Sequence, residues 1–250
     1  MKVLFQGQVP KDTEYPEANE DAVAISDRGN RIAISDGASE SFDSQTWARL
    51  IACQFVENST LDEFWLTTIM QKYKSNFDLS SLSWSKQEAF ERGSFATLLG
   101  VEEDADRRAV DIVTVGDSLA ILLDDVDFVE SFPYKNSEEF RQKPLLFCTH
   151  LSDNTFFLHP NFSLEHRKTW NLEKYVCPLL MCMTDALGEW ALRHAAQGNS
   201  QWHFLREMSD PALFRDVVLT ERANKRMRVD DVTLLIISFD MVKGHEISLL

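Results

Sequence analysis

The sequence predicts an α+β fold in which antiparallel sheets carry helices on their outer sides. Segments with the alternating or β-branched pattern of strands outnumber segments with helical periodicity. The strands follow one another in groups that two helical blocks interrupt, so the strict strand–helix alternation of a parallel sheet is missing. The chain has no G-x-G-x-x-G fingerprint and no P-loop, so nothing supports a doubly wound nucleotide-binding fold.

The first part of the chain predicts three strands followed by three helices. The strands are expected at 3–8, 21–26 and 31–35. Residues 27–30 (DRGN) have the composition of a hairpin turn between the last two strands. Apolar residues at helical spacing between 47 and 55 follow Asp43 and Ser44, which are suitable helix caps. Two more helices are expected at 61–74 and 85–91.

The second part of the chain predicts further strands around an irregular segment. A meander is expected at 95–102, 108–115, 119–123 and 126–132. The segment 133–175 has no clear periodicity beyond short strands near 145–148 and 155–159. After it we expect a buried strand at 175–183, helices at 186–197 and from Pro211, and a β-branched core strand at 232–239.

Composition limits the class of protein. The 250 residues, of which 44% are hydrophobic, suit one domain over 1–250, and a monomer is the default expectation. The net charge of −15 argues against binding to nucleic acid or to an anionic membrane. No signal peptide or membrane span is visible. The scattered cysteines, Cys53, Cys148, Cys177 and Cys182, are expected to be reduced core thiols of a cytoplasmic protein.

Carboxylates next to small residues stand where apolar runs begin or end. These positions are Glu20, Asp21, Asp36 before Gly37, Asp117, Asp185, and Asp230 beside Asp231. Each one alone is more typical of a turn, a helix cap or a solvated loop. Clustered carboxylates repel one another and need cations, and the hard ions Mg²⁺ and Mn²⁺ prefer such oxygen ligands.

Together these segments resemble the metal-dependent protein phosphatases of type 2C, in their bacterial branch. The matching segments run from residue 19 to residue 237 and are NEDA at 19–22, AISDGASES at 33–41, GSFATLLGV at 93–101, VGDS at 115–118, TDALGEW at 184–190 and DDVTLLII at 230–237. Several motifs that agree in order are more specific than any one of them. The resemblance implies a four-layer α-β-β-α sandwich, with two antiparallel sheets packed face to face.

The resemblance also implies a centre of two Mg²⁺ or Mn²⁺ ions at one end of the sandwich. Asp36 would bridge both ions, and the carbonyl of Gly37 would bind one of them. Asp185 and Asp230 would complete the other shell, while Asp117 with Asp185 would hold a possible third ion.

The implied activity is hydrolysis of phosphoserine or phosphothreonine in proteins that a serine/threonine kinase has modified. Asp36, Asp21 and Glu20 are the expected catalytic residues, with Glu20 and Asp21 ordering water beside the metals. Water activated by the two ions would attack phosphorus directly, without a phosphoenzyme.

Two positions depart from the family pattern. Pro16 stands where the family usually has a phosphate-binding arginine, and Ala38 stands where the animal enzymes have a histidine. Lys11 and Arg228 are the candidate replacements for the arginine. For Arg228, a role in complementing a helix C-terminus is the competing interpretation.

Two other functions remain open from the sequence. One is a catalytically weak or dead phosphatase-fold module that binds or regulates. The other is a metallohydrolase of small phosphate esters. Part of the segment 133–175 is a candidate for the flap that shapes substrate choice in the family.

Overall fold

The computed structural model describes residues 1–198 and 201–239. In this part of the chain two five-stranded antiparallel sheets and one two-stranded sheet form. The first sheet has the order β1–β12–β11–β7–β8, and its strands, in that order, are Lys2–Val9, Val232–Ser238, Pro178–Met183, Leu119–Asp124 and Asp127–Phe132.

The second sheet has the order β10–β6–β5–β3–β2. Its strands, in that order, are Arg167–Asn171, Ala109–Val115, Leu98–Asp104, Arg31–Ser35 and Ala22–Ile25. The small sheet pairs β4 (Phe95–Ala96) with β9 (Phe147–Cys148). The helices of the described part are α1 Ser44–Glu57, α2 Glu63–Lys74, α3 Trp84–Arg92, α4 Phe162–His166, α5 Asp185–Ala196, α6 Trp202–Arg206 and α7 Pro211–Ala223.

The core consists of three apolar layers, which confirms the predicted four-layer sandwich. Alternate residues of each strand face opposite sides, so Ile32 and Ile34 pack between the sheets while Ala33 faces the helices. The outer side of the second sheet packs on α1 and α2, and the outer side of the first packs on α5 and α7. Among the described residues, no helix has the length and apolar character needed to cross a membrane.

Several expected elements are wrong or shifted. The expected strand at 155–159 lies instead in a 3₁₀ segment, Leu151–Leu158, where Phe156 and Phe157 pack around Phe147. Tertiary packing has overridden the strand preference of these aromatic residues. The strand expected from residue 175 begins at Pro178, and β10, α4 and α6 were not predicted.

The expected meander is also interrupted. β5 and β6 pair, and β7 and β8 pair, but β6 and β7 belong to different sheets. Residues 116–118 therefore carry the chain from one sheet to the other and do not form a hairpin. Gly116 makes this turn with φ +109°, and a Cβ there would lie 2.5 Å from Cγ2 of Thr97.

The expectation of core thiols holds for half of the cysteines. Cys148 and Cys182 are buried, whereas Cys53 and Cys177 are exposed, and all four are free. Cys53 lies on the solvent side of α1, and Cys177 precedes β11 at the edge of the sandwich, so neither position requires burial.

Candidate metal centre

The predicted site residues lie at one end of the sandwich because of how the strands are paired. Val9 at the end of β1 is opposite Val232 at the start of β12, and Met183 at the end of β11 is opposite Leu119 at the start of β7. Antiparallel pairing therefore brings carboxylates that follow one strand beside carboxylates that precede the next. β3 in the second sheet also ends here, because the β6–β7 connection joins the sheets at this edge.

Asp36 follows β3 and is held by Thr97, which lies between β4 and β5. Its N–H donates to Oγ1 of Thr97 over 2.8 Å, and its carbonyl accepts the N–H of Thr97 over 2.8 Å. Gly37 fits a tight approach, since a Cβ there would lie 2.8 Å from the carbonyl oxygen of Ser44 and 3.0 Å from that of Glu20. The backbone at Asp36 and Gly37 is therefore fixed before any ion binds.

Asp21 is buried, and only one of its two carboxylate oxygens is hydrogen-bonded. Its Oδ2 accepts the hydroxyls of Thr184 over 3.1 Å and of Thr233 over 2.7 Å, whereas its Oδ1 is buried without a hydrogen-bond partner. Burial raises the pKa of Asp21 to about 7, an effect that the Thr233 hydroxyl opposes and the charge of Asp231 reinforces. An unpaired buried carboxylate oxygen indicates a missing donor or cation.

Glu20 is surrounded by donors. Its carboxylate accepts the hydroxyl of Ser39 over 2.7 Å and the hydroxyl of Ser44, and it forms an ion pair with Nζ of Lys11. Lys11 also donates to Oγ of Ser39 over 2.6 Å. The sequence placed Lys11 near phosphate, but its Nζ is engaged by Glu20.

Asp231 has a structural task that the sequence did not reveal. Its side chain is 2% exposed and accepts the backbone N–H of Lys11 over 2.7 Å and that of Glu20 over 2.9 Å. It thus ties the β1–β2 connection to the start of β12. Asp230 and Asp231 look equivalent in the sequence. They make different contacts because their side chains point in different directions.

Arg222 on α7 has a structural role that the sequence did not reveal. Its guanidinium is buried and donates to the carbonyls of Val9 over 3.2 Å, of Pro10 over 2.8 Å and of Asp230. Its periodic position on the buried face of α7 was the available signal, because a buried arginine needs several acceptors. Arg222 holds two segments of the site together.

Arg228 lies among the carboxylates and not at a helix C-terminus. Its Nη2 forms an ion pair with Oδ2 of Asp185, and its Nε lies 3.8 Å from Oδ2 of Asp230. α7 ends at Ala223, and the competing interpretation of Arg228 as a partner of that helix end is wrong because the side chain points to Asp185. The other oxygen of Asp185, Oδ1, is buried without a partner.

The remaining carboxylates repel one another. Loss of hydration, followed by the charges of Asp21, Asp117 and Asp230, raises the pKa of Asp36 well above its usual range. Loss of hydration also raises the pKa of Asp117, although the charge of Arg228 opposes this. The cluster therefore carries more negative charge than its surroundings compensate.

The residues fit a divalent cation in chemistry and location. All donors are oxygen atoms, and two buried carboxylate oxygens, on Asp21 and Asp185, have no partner. The side chains themselves are not gathered around one point: within 1–198 and 201–239, no three His, Cys, Asp or Glu residues are grouped closely enough to hold a metal ion. Asp185 is instead engaged by the guanidinium of Arg228.

The raised pKa values predict how stability changes with pH when metal is removed. Asp21 loses its proton near pH 3.8 when unfolded and near pH 7 when folded, so the folded state binds more protons between these values. Without metal, the free energy of unfolding should therefore fall as pH rises from about 4 to about 7. Urea unfolding in EDTA at several pH values measures this.

The variant Asp21→Asn serves as the control for this pH dependence, since it should show a smaller fall in the urea midpoint over the same range. A midpoint that stays constant or rises between these pH values would contradict the electrostatic description of the cluster.

Comparisons with known proteins identify the fold. No protein-family model matches the sequence, and no curated protein is detectably similar to it. A structure of the Mycobacterium tuberculosis serine/threonine phosphatase PstP/Ppp is 14% identical over 96% of this chain and 100% of its own, with a TM-score of 0.56. The catalytic domain of PstP in complex with two manganese ions is 13% identical over 95% of this chain and 99% of its own, with a TM-score of 0.55.

A third solved structure extends the same likeness. The photosystem II phosphatase PBCP is 12% identical over 94% of this chain and 98% of its own, with a TM-score of 0.57. Identities this low establish architecture and leave the activity to be argued from the site. The chain therefore has the fold of the type 2C serine/threonine phosphatases, in agreement with the resemblance that its sequence motifs carry.

Proposed function

We propose that residues 1–250 form one domain that hydrolyses phosphoserine or phosphothreonine in proteins and depends on Mg²⁺ or Mn²⁺. The observation that carries this proposal is that carboxylates from distant segments lie at one end of a type 2C phosphatase fold. The acidic residues concerned are Glu20, Asp21, Asp36, Asp117, Asp185 and Asp230. The substrates would be proteins phosphorylated by a serine/threonine kinase. The phosphatase itself would act as a monomer in the cytoplasm.

Asp36, the carbonyl of Gly37, Asp185 and Asp230 are the proposed metal ligands, and Asp117 with Asp185 is the proposed place of a third ion. When bound, divalent cations would neutralise charge on the phosphoryl group and activate water. The protein's own part is positioning: Thr97, between β4 and β5, fixes the backbone of Asp36 through two hydrogen bonds of 2.8 Å.

Asp21 and Glu20 are proposed to orient water at the side of the centre. The free Oδ1 of Asp21 can accept a hydrogen bond from such a water, while two threonine hydroxyls hold Oδ2. Glu20 is held by Ser39, Ser44 and Lys11 and so presents a fixed carboxylate. Pro16, which stands at the family's usual arginine position, has no charge with which to bind phosphate. Lys11 and Arg228 therefore remain the proposed phosphate-binding cations.

A groove beside the centre favours a protein substrate over a small phosphate ester. It has a volume of about 440 Å³ and lies between α3 and residues 143–146. Its apolar lining is formed by Ala38, Ala89, Phe95, Pro144, Leu145, Leu146 and Phe156. Ala38 follows Gly37 directly and donates its N–H to the carbonyl of Phe95 over 2.9 Å, so the groove begins at the proposed metal ligands. An apolar side chain near the phosphorylated residue would fit there.

Filling this groove should affect peptides and spare small substrates. The variant Ala89→Arg keeps a good helix former on α3 and places a long charged side chain in the groove. We expect KM for a phosphothreonine peptide with flanking apolar residues to rise about five- to tenfold, with unchanged kinetics on p-nitrophenyl phosphate.

The matched control for the groove is Ser85→Arg, which adds the same charge to an exposed position of α3 outside the lining. Equal effects of both variants on peptide KM, or an equal loss on p-nitrophenyl phosphate, would exclude the groove from substrate binding.

The proposed function is tested by turnover of a phosphothreonine peptide and of a nucleotide, each with Mn²⁺ and with EDTA. We expect Mn²⁺-dependent release of phosphate from the peptide and much slower release from the nucleotide. Faster nucleotide turnover would favour a hydrolase of small phosphate esters. Absence of turnover on either substrate, with Mn²⁺ bound, would favour a binding or regulatory module.

A further inference from the structure

Arg228 brings a positive charge into the cluster from the segment between α7 and β12. Its guanidinium forms an ion pair with Asp185, and its Nε lies 3.8 Å from Oδ2 of Asp230. Both partners are proposed metal ligands. On the basis of the proposed function, we propose that Arg228 is an internal counterion that holds Asp185 in the metal-free protein and leaves this carboxylate when a divalent cation binds.

The backbone around Arg228 is anchored, so the exchange involves only the side chain. Buried Arg222 donates to the carbonyl of Asp230, which lies two residues after Arg228 in the chain. On the other side, the N–H groups of Arg226 and Met227 donate to the carbonyl of Glu221 over 2.9 Å and 3.2 Å. Between these anchors the Arg228 side chain is 44% exposed, and it can turn towards solvent without disturbing the fold.

Asp185 is less free to move than its partner. It is the first residue of α5, and its side chain is only 11% exposed. Oδ2 contacts the guanidinium, while Oδ1 is buried without a partner. A divalent cation at Asp185 would meet the like charge of Arg228 within a few ångströms, which is unfavourable in a partly desolvated site. Cation binding and the Arg228–Asp185 contact therefore compete.

The neighbouring charges explain why such a counterion is useful. The guanidinium of Arg228 pairs with Asp185 and lies 3.8 Å from Oδ2 of Asp230, so its positive charge offsets the repulsion between these two carboxylates. The metal-free protein gains stability from this contact, and metal affinity is lowered by the same amount. Removing the charge should therefore weaken the metal-free fold and tighten metal binding.

Calorimetric titration of Mn²⁺ into EDTA-stripped protein tests the competition. The variant Arg228→Gln should bind Mn²⁺ about five- to tenfold more tightly than the unchanged protein, since a partly exposed ion pair and a like charge are both removed. Its metal-free form should also unfold at a lower urea concentration than the unchanged protein.

Arg226→Gln is the matched control. Arg226 is 49% exposed and pairs with Glu221, which is not one of the proposed ligands. The Mn²⁺ affinity of the variant should therefore equal that of the unchanged protein. Equal or weaker Mn²⁺ binding by Arg228→Gln would overturn the counterion role. Absence of Mn²⁺ binding in all three proteins would overturn the metal-dependent function and, with it, this inference.

Discussion

Replacing Asp36 with asparagine is expected to lower phosphothreonine-peptide turnover at saturating Mn²⁺ by at least about 100-fold, or about 2.7 kcal/mol. Asp36 follows β3, and its backbone is fixed on both sides by Thr97. The substitution preserves the shape of the side chain and removes its negative charge, which interacts with the charges of the other carboxylates. It should therefore weaken cation binding without unfolding the protein. Initial rates at several Mn²⁺ concentrations measure the loss.

Asp27→Asn provides the control for this experiment. Asp27 is exposed in the turn at the opposite end of the β2–β3 hairpin, so the same chemical change there should leave turnover unaffected. Turnover by Asp36→Asn within about threefold of the unchanged protein would remove Asp36 from the proposed metal ligands. Lower unfolding stability of the variant in EDTA would instead indicate a structural role, since relief of repulsion should raise it.

Replacing Arg222 with methionine is expected to lower the free energy of unfolding by about 3 kcal/mol. The guanidinium satisfies the carbonyls of Val9, Pro10 and Asp230, and methionine would leave these acceptors unpaired in a largely dry environment. The segment that carries Asp230 would also lose its attachment to β1. Urea unfolding at neutral pH measures the first effect, and Mn²⁺ calorimetry measures the second.

Arg226→Met removes an arginine from the same stretch of chain with little expected cost. Its ion pair with Glu221 is half-exposed, and exposed pairs add little to stability. If both variants lowered stability equally, loss of net charge would explain the result better than loss of the buried hydrogen bonds.

Local pattern was sufficient where an element's own residues decide its form. β3 was predicted with its observed bounds, Arg31–Ser35, because an apolar run stands between a hairpin turn and an Asp-Gly pair. The start of α1 was visible for a similar reason, since the side chain of Asp43 caps the N–H of Thr46 over 3.3 Å. Both signals lie within a few residues of the structure that they specify.

Long-range contacts decided the elements that were predicted wrongly. The aromatic residues at 156 and 157 have strand preference, yet they pack on Phe147 from a 3₁₀ segment. The turn at 116–118 has hairpin composition, yet it joins two sheets, because β6 pairs with β5 and β10 while β7 pairs with β8 and β11. Partner choice of this kind depends on the burial of whole strands and leaves no mark on the turn itself.

The amino-acid sequence by itself determined the layered α+β fold and the positions along the chain where carboxylates end apolar runs, because periodicity and short motifs are local properties. The tertiary structure alone decided which side chain meets which: Asp231 binds backbone N–H groups, Arg222 joins β1 to the Asp230 segment, and Arg228 contacts Asp185. These contacts join residues brought close only by strand pairing and by the packing of helices on the sheets, so the direction of each side chain became known only with the fold.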